Sequence, residues 1–261
     1  MFKGLSALKK ADLAAELARG ISIVFHTVLN TLDQGRYDLI KDIVNHSGMV
    51  ADRGLSPSKI ETLMKYSILF PGSYENKKVL FMPNELISIF EANDNDALRQ
   101  VFRRNTEWIQ VTHGLLHYFG VMDTMRIMDK LERLIGHSIG SHDYLSVMTF
   151  ACDFYGQASL TGTGMRDCRA FDAGKIIEEY LMRPDIEDYP FTKKQLIKAT
   201  DPDYVERSPQ MNHLMHLLSR NYQLSKEEID DLELQISAIL QWCKSLKGHS
   251  VSADADGTSF V

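Results

Sequence analysis

The stretch from Ser56 to Glu91 constrains the fold more than any other part of the chain. Ser56 is a good helix N-cap, and Pro57 suits the first helical position, where its missing N–H costs nothing. Ile60, Leu63 and Met64 recur at helical spacing, so a helix is expected from Ser56 to Tyr66. Ile68-Leu69-Phe70 and Val79-Leu80-Phe81-Met82 are β-prone runs on either side of Pro71-Gly72-Ser73-Tyr74-Glu75-Asn76. Two such runs around a Pro/Gly/Asn loop read as a hairpin. Pro83 then opens a second helix. A helix feeding a hairpin is the back half of a winged helix, and a looser copy is expected between Asp123 and Phe171, where Gly156, Gly162 and Gly164 punctuate short β-prone pieces.

The rest of the chain reads as helices. Ser6–Arg19 is expected as one helix stopped by Gly20, Ile21–Leu32 as a second, and Tyr37–His46 as a third after a turn at Asp33-Gln34-Gly35. A long helix follows Asp94-Asn95-Asp96 to about Tyr118. Asp123 can cap a helix through Leu134, and Ser141 or His142 starts one to about Asp153. Further helices are expected over Asp172–Met182, Thr192–Ala199 and Ser208–Tyr222. Ser225-Lys226-Glu227-Glu228 is a capping box that opens a last helix through Leu246. The expected fold is mainly α, with two short β-hairpins in winged-helix-like units. Its segments are 1–92, a connecting helix 93–119, 120–247, and a Ser/Ala/Asp/Gly-rich disordered tail 248–261.

Composition narrows the function classes. The apolar stretch Ile21–Leu32 is short and interrupted by His26, Thr27 and Asn30, so no run approaches the ~18 residues of a membrane span. The N-terminus has no signal-peptide core. Cys152, Cys168 and Cys243 form no CxxC pair, which fits a reducing compartment and a cytoplasmic protein. Net charge is −6, and residues 201–261 hold 5 Lys/Arg against 10 Asp/Glu. A sequence-independent nucleic-acid binder needs a basic surface, because phosphate neutralisation supplies most of its affinity. Only the N-terminal part could present one here.

Two sets of side chains could carry a site. Lys65, Tyr66, Tyr74, Lys77 and Lys78 surround the first hairpin, and Arg99, Arg103 and Arg104 on the next helix could extend that patch. Lys65, Tyr74, Lys77, Lys78, Arg99 and Arg103 are therefore the candidate nucleic-acid contacts; the competing reading is of solvated charges paired along helices. His113 and His117 lie one helical turn apart, so both rings could meet one metal. The sequence between them is HGLLH, without the glutamate that a HExxH metalloprotease uses as base. Gly162-Thr163-Gly164 lacks both phosphate-loop fingerprints and reads as a hairpin turn. Asp185, Glu187 and Asp188 read as a solvated charge run. No catalytic residue and no cofactor is assigned.

Leu5-Ser6-Ala7-Leu8-Lys9-Lys10-Ala11-Asp12-Leu13 resembles the N-terminal helical segment of the Rho termination factor family and its SAP-like relatives. Leu69-Phe70-Pro71-Gly72 with Val79-Leu80-Phe81-Met82-Pro83, Tyr118-Phe119-Gly120-Val121, and Tyr189-Pro190-Phe191-Thr192 with Asp201-Pro202-Asp203-Tyr204 resemble segments of uncharacterised Firmicute and phage proteins near the SEC-C and YecA-like group. That resemblance implies a shared fold and no activity. The zinc-binding CxC…HC tail of SEC-C proteins is missing, since no cysteine follows Cys243, so their metal function is not carried over. The expected function is a non-enzymatic cytoplasmic regulator or adaptor acting through protein–protein contacts. The alternatives are a DNA- or RNA-binding regulator using the basic first hairpin, and a metal-dependent enzyme around His113 and His117.

Overall fold

The computed structural model describes residues 9–51, 54–170, 172–182, 188–201, 204–205 and 209–246. The chain runs α1 (Lys10–Leu29), α2 (Gln34–Asn45), β1 (Met49–Ala51), α3 (Pro57–Lys65), β2 (Phe70–Tyr74), β3 (Lys77–Phe81), α4 (Asn84–Asn93) and α5 (Asp96–Phe119). It continues through β4 (Val121–Met122), α6 (Thr124–Ile135), α7 (Ser141–Tyr155), β5 (Ala158–Thr161) and β6 (Gly164–Asp167), and finishes with α8 (Ala173–Leu181), α9 (Lys193–Lys198), α10 (Pro209–Asn221) and α11 (Lys226–Leu246). The fold is mainly α, with two three-stranded antiparallel sheets of order β1-β3-β2 and β4-β6-β5.

Each sheet completes a module. In chain order the second reads helix (α5), strand (β4), two helices (α6, α7) and a hairpin (β5, β6), with the first strand paired to the last. That is the connectivity of a winged helix. The first module has the same strand order with a single helix, α3, before its hairpin. Both hairpins lie where the sequence places them. The short strands β1 and β4 were not expected: at three and two residues they carry no readable alternation.

The chain divides into two compact units that are discontinuous in sequence: residues 1–112 with 128–160, and 113–127 with 161–261. This division differs from the sequential segments 1–92, 93–119 and 120–247. Long helices are the reason: α5 contributes to both units, so neither end of it is a boundary. The first unit buries a core that includes Phe25, Leu29, Ile40, Ile43, Leu63, Leu80, Phe90, Phe102 and Phe150. The second buries Leu115, Leu116, Phe119, Met122, Ile127, Met165 and Leu196.

Local chemistry explains most boundaries and several corrections. α1 is one helix, not two, and Gly20 lies buried inside it. An interior glycine costs about 1 kcal/mol relative to alanine, which the packing of Phe25, Val28 and Leu29 offsets. Asp33 is not a turn residue but the N-cap of α2, where its side chain accepts from the Arg36 N–H. Pro71 is not in the loop but inside β2. That is permitted because β2 is an edge strand, where a missing donor breaks no ladder bond. Asp123 caps α6 by accepting from the N–H groups of Met125 and Arg126. Thr192 with Gln195 and Ser225 with Glu228 form capping boxes. The expected helix starts Ser6 and Ser208, Asp185 and Glu187 of the acidic run, and the tail 248–261 lie outside the described residues.

Candidate functional site

The first hairpin is closed by a two-residue turn. Tyr74 pairs with Lys77, so Glu75 and Asn76 are the turn, and both have positive φ, 48° and 59°. Two left-handed residues make a type I′ turn, whose twist matches that of the flanking strands. Side chains alternate across the sheet from there. One face carries Val50, Leu80, Pro71, Ser73 and Lys78, and its Val50 and Leu80 are core residues. The opposite face carries Met49, Phe81, Phe70, Val79, Gly72, Lys77 and Tyr74. Met49, Phe81 and Phe70 stand in one cross-strand row, with the two phenyl rings 5.8 Å apart. On this outer face Met49 is 36% exposed, Phe81 39% and Tyr74 54%.

The six residues expected to touch nucleic acid do not behave as one patch. Tyr74, Lys77 and Lys78 are exposed at the hairpin tip, and Arg103 is exposed on α5. Among the described residues no ion pair engages Lys77, Lys78 or Arg103. Lys65 is held 2.5 Å from the Asp153 carboxylate, and the hydrogen bond and charge of that carboxylate raise its pKa. Arg99 is paired to Asp94 at 3.2 Å and Asp96 at 3.3 Å. Two of the five expected cations are thus already balanced by carboxylates of the same chain.

Asp153 belongs to α7, and its pairing with Lys65 is one contact of a broader interface inside the first unit. α3 and α7, the helices that immediately precede the two hairpins, pack on each other. Tyr66 stacks on Phe150 at 3.8 Å with the rings 12° from parallel. The Thr62 hydroxyl, itself buried, lies 2.9 Å from the Asp153 carbonyl. The Arg36 guanidinium covers Phe150 at 4.3 Å. Arg36 is fully buried: it donates through Nε to Asp33 Oδ1 at 2.9 Å and through Nη2 to the Thr31 carbonyl at 3.2 Å. The Tyr155 hydroxyl donates to the other Asp33 oxygen at 2.5 Å. Burial first, then the Asp33 charge, pushes the Tyr155 phenol well above its ordinary pKa, so it remains a donor. The sequence reading missed this cluster. Its one signal is an acid and a base three residues apart at a helix start, a spacing shared by many exposed pairs.

His113 and His117 are both buried in the second unit. The Nδ1 of His117 accepts from Arg169 Nη2 at 2.7 Å, which places the ring proton on Nε2. Arg169 in turn lies on Asp167, with Nε to Oδ1 at 2.9 Å and Nη2 to Oδ2 at 2.7 Å. Burial chiefly, and the Arg169 charge next, lowers the His117 pKa to about 4, so the ring is neutral at pH 7. A guanidinium on one ring nitrogen both occupies it and repels a cation. Among the described residues no group of three His, Cys, Asp or Glu side chains could hold a metal ion. Nor is any helix among them long and apolar enough to cross a membrane. Compared with protein-family models, with curated proteins and with solved structures, the chain matches none.

Proposed function

We propose that this protein is a non-enzymatic cytoplasmic regulator or adaptor that acts through protein–protein contacts. The observation that carries the reading is the packing of α3 on α7. In a helix-turn-helix reader the second helix lies in the major groove, with its side chains on base edges. Here the helix before each hairpin is the other's packing partner, joined by the Tyr66–Phe150 stack and the Thr62 and Lys65 contacts to Asp153. Winged-helix-like units with their pre-hairpin helices so engaged are suited to presenting their remaining surfaces to another protein. The acidic balance of the chain supports the same reading, since a net charge of −6 repels phosphate. The sparse cysteines support the cytoplasmic part.

The rival reading, a DNA- or RNA-binding regulator, draws on Lys77, Lys78 and Arg103 alone, because Lys65 and Arg99 are paired. The two readings separate in a pull-down of tagged protein from native lysate, with and without nuclease. Specific protein bands that survive nuclease are the expected result. Bands lost on nuclease, with nucleic acid recovered from the untreated sample, would overturn the adaptor reading.

A further inference from the structure

We infer that the groove between the end of α1 and the α4–α5 corner is a small-molecule site for a neutral primary carboxamide carried on an apolar body. The inference goes beyond the adaptor reading and does not rest on it. The groove holds about 250 Å³, and Asn30, Asn93 and Asn95 ring it beside Leu29, Leu98 and Val101. All of these residues belong to the first unit. Drug-sized ligands fill roughly 300–1,000 Å³, so the occupant here is smaller. Leu29 is buried and Leu98 and Val101 are half-buried, which gives the ligand's apolar part a surface to cover.

The hydrogen bonds that the asparagines already make choose the ligand. A backbone carbonyl can only accept and a backbone N–H can only donate, so the orientation of each amide follows. Asn30 gives its Nδ2 to the His26 carbonyl at 3.0 Å, and Asn93 gives its Nδ2 to the Ile89 carbonyl at 2.7 Å. Asn95, just before α5, accepts from the Leu98 N–H through its Oδ1 at 3.0 Å. Among the described residues no hydrogen bond engages the Oδ1 atoms of Asn30 and Asn93 or the Nδ2 of Asn95. The three side chains are thus held in place before any ligand arrives, which lowers the ordering cost of binding. They leave two acceptors and one donor. A primary carboxamide carries the converse set, two N–H donors and a carbonyl.

Charge excludes the neighbouring classes. No carboxylate, ammonium or guanidinium lines the groove, and His26 is its one titratable side chain. Asp94, between two of the asparagines in sequence, is withdrawn: its carboxylate takes hydrogen bonds from Tyr37, Lys41 and Arg99. A carboxylate ligand would bring its oxygens against two amide oxygens. An amidinium would leave the Asn95 donor unanswered.

The test uses three probes of one shape and different charge: benzamide, benzoate and benzamidine. Each is titrated against the full chain by protein-observed NMR at pH 8, above the range in which histidines ordinarily charge. The expected result is saturable millimolar binding of benzamide, about tenfold tighter than either charged probe, the size of effect that one unmade hydrogen bond produces. Asn95→Asp keeps the oxygen that accepts from Leu98 but replaces the donor with a charge. It should bind benzamide about tenfold more weakly and prefer benzamidine. Asn93→Ala removes one acceptor and should also weaken benzamide, so the site stays testable if either variant fails to fold. N-acetylglutamine methylamide carries the same group on a peptide side chain. Tighter binding of that probe than of benzamide would overturn the small-molecule assignment and place the carboxamide on a partner protein. Absence of benzamide binding, equal binding of the three probes, or benzamide binding that neither variant weakens would overturn the site while leaving the adaptor reading in place.

Discussion

Single residues hold three features that physical chemistry makes testable. Glu75 sits at a φ of 48°, where asparagine and glycine are at home and glutamate is not. Glu75→Asn should therefore raise the urea midpoint, by up to about 1 kcal/mol of stability; a lower midpoint would show that the turn is not type I′. Arg36 and Asp33 are buried together, so removing one partner leaves an uncompensated charge. Arg36→Ala should cost roughly 3–5 kcal/mol in urea unfolding, and a loss near zero would mean that the pair is solvated. The third feature is pH dependence. The His117 pKa is lowered to about 4 in the folded protein, against about 6.5 when unfolded. Between those values the unfolded chain binds the extra proton, so stability is lost as pH falls from 6.5 toward 4. His117→Gln should flatten that part of the stability–pH curve, and an unchanged curve would contradict the buried neutral ring. None of the three features could be read in the sequence, because each depends on a backbone angle or on partners up to about 120 residues away.

At the scale of elements, capping chemistry and most helix ends were legible, and the parts played by Gly20 and Pro71 were not. The starts of α6, α9 and α11 follow from Asp123, Thr192 and Ser225, because a cap is written within four residues; α3 starts at Pro57 as expected, although the Ser56 side chain makes no cap hydrogen bond. Gly20 misled because tertiary packing overrides the glycine penalty, and Pro71 because an edge strand tolerates it. Gly114, a glycine in a helix interior, has a packing reason instead. A β-carbon there would lie 2.2 Å from the Leu196 carbonyl oxygen of α9. Gly114→Ala should therefore destabilise the second unit by about 1–3 kcal/mol, measured by calorimetry, although alanine is the better helix former. A neutral or stabilising result would mean that α9 does not pack on this turn. In the first unit, Phe150→Ala should cost about 3–5 kcal/mol through the lost stack on Tyr66. Lys65→Ala should leave the midpoint nearly unchanged, since the lysine is exposed and solvent screens its pair.

For the whole molecule, the fold class was legible because hairpins and amphipathic helices leave local patterns. The pairing of the candidate contacts was not, because nothing in Lys65 or Arg99 announces the carboxylate that each meets. The α3–α7 packing joins the helices that precede the two hairpins, and that pairing carries the proposed function. The most direct test is a titration of the full chain with labelled duplex DNA and single-stranded oligonucleotide at low salt, where phosphate contacts are strongest. The account predicts no saturable binding to either. Binding that falls steeply with added salt and weakens on Lys77→Glu would contradict it, and would make the first hairpin a nucleic-acid wing.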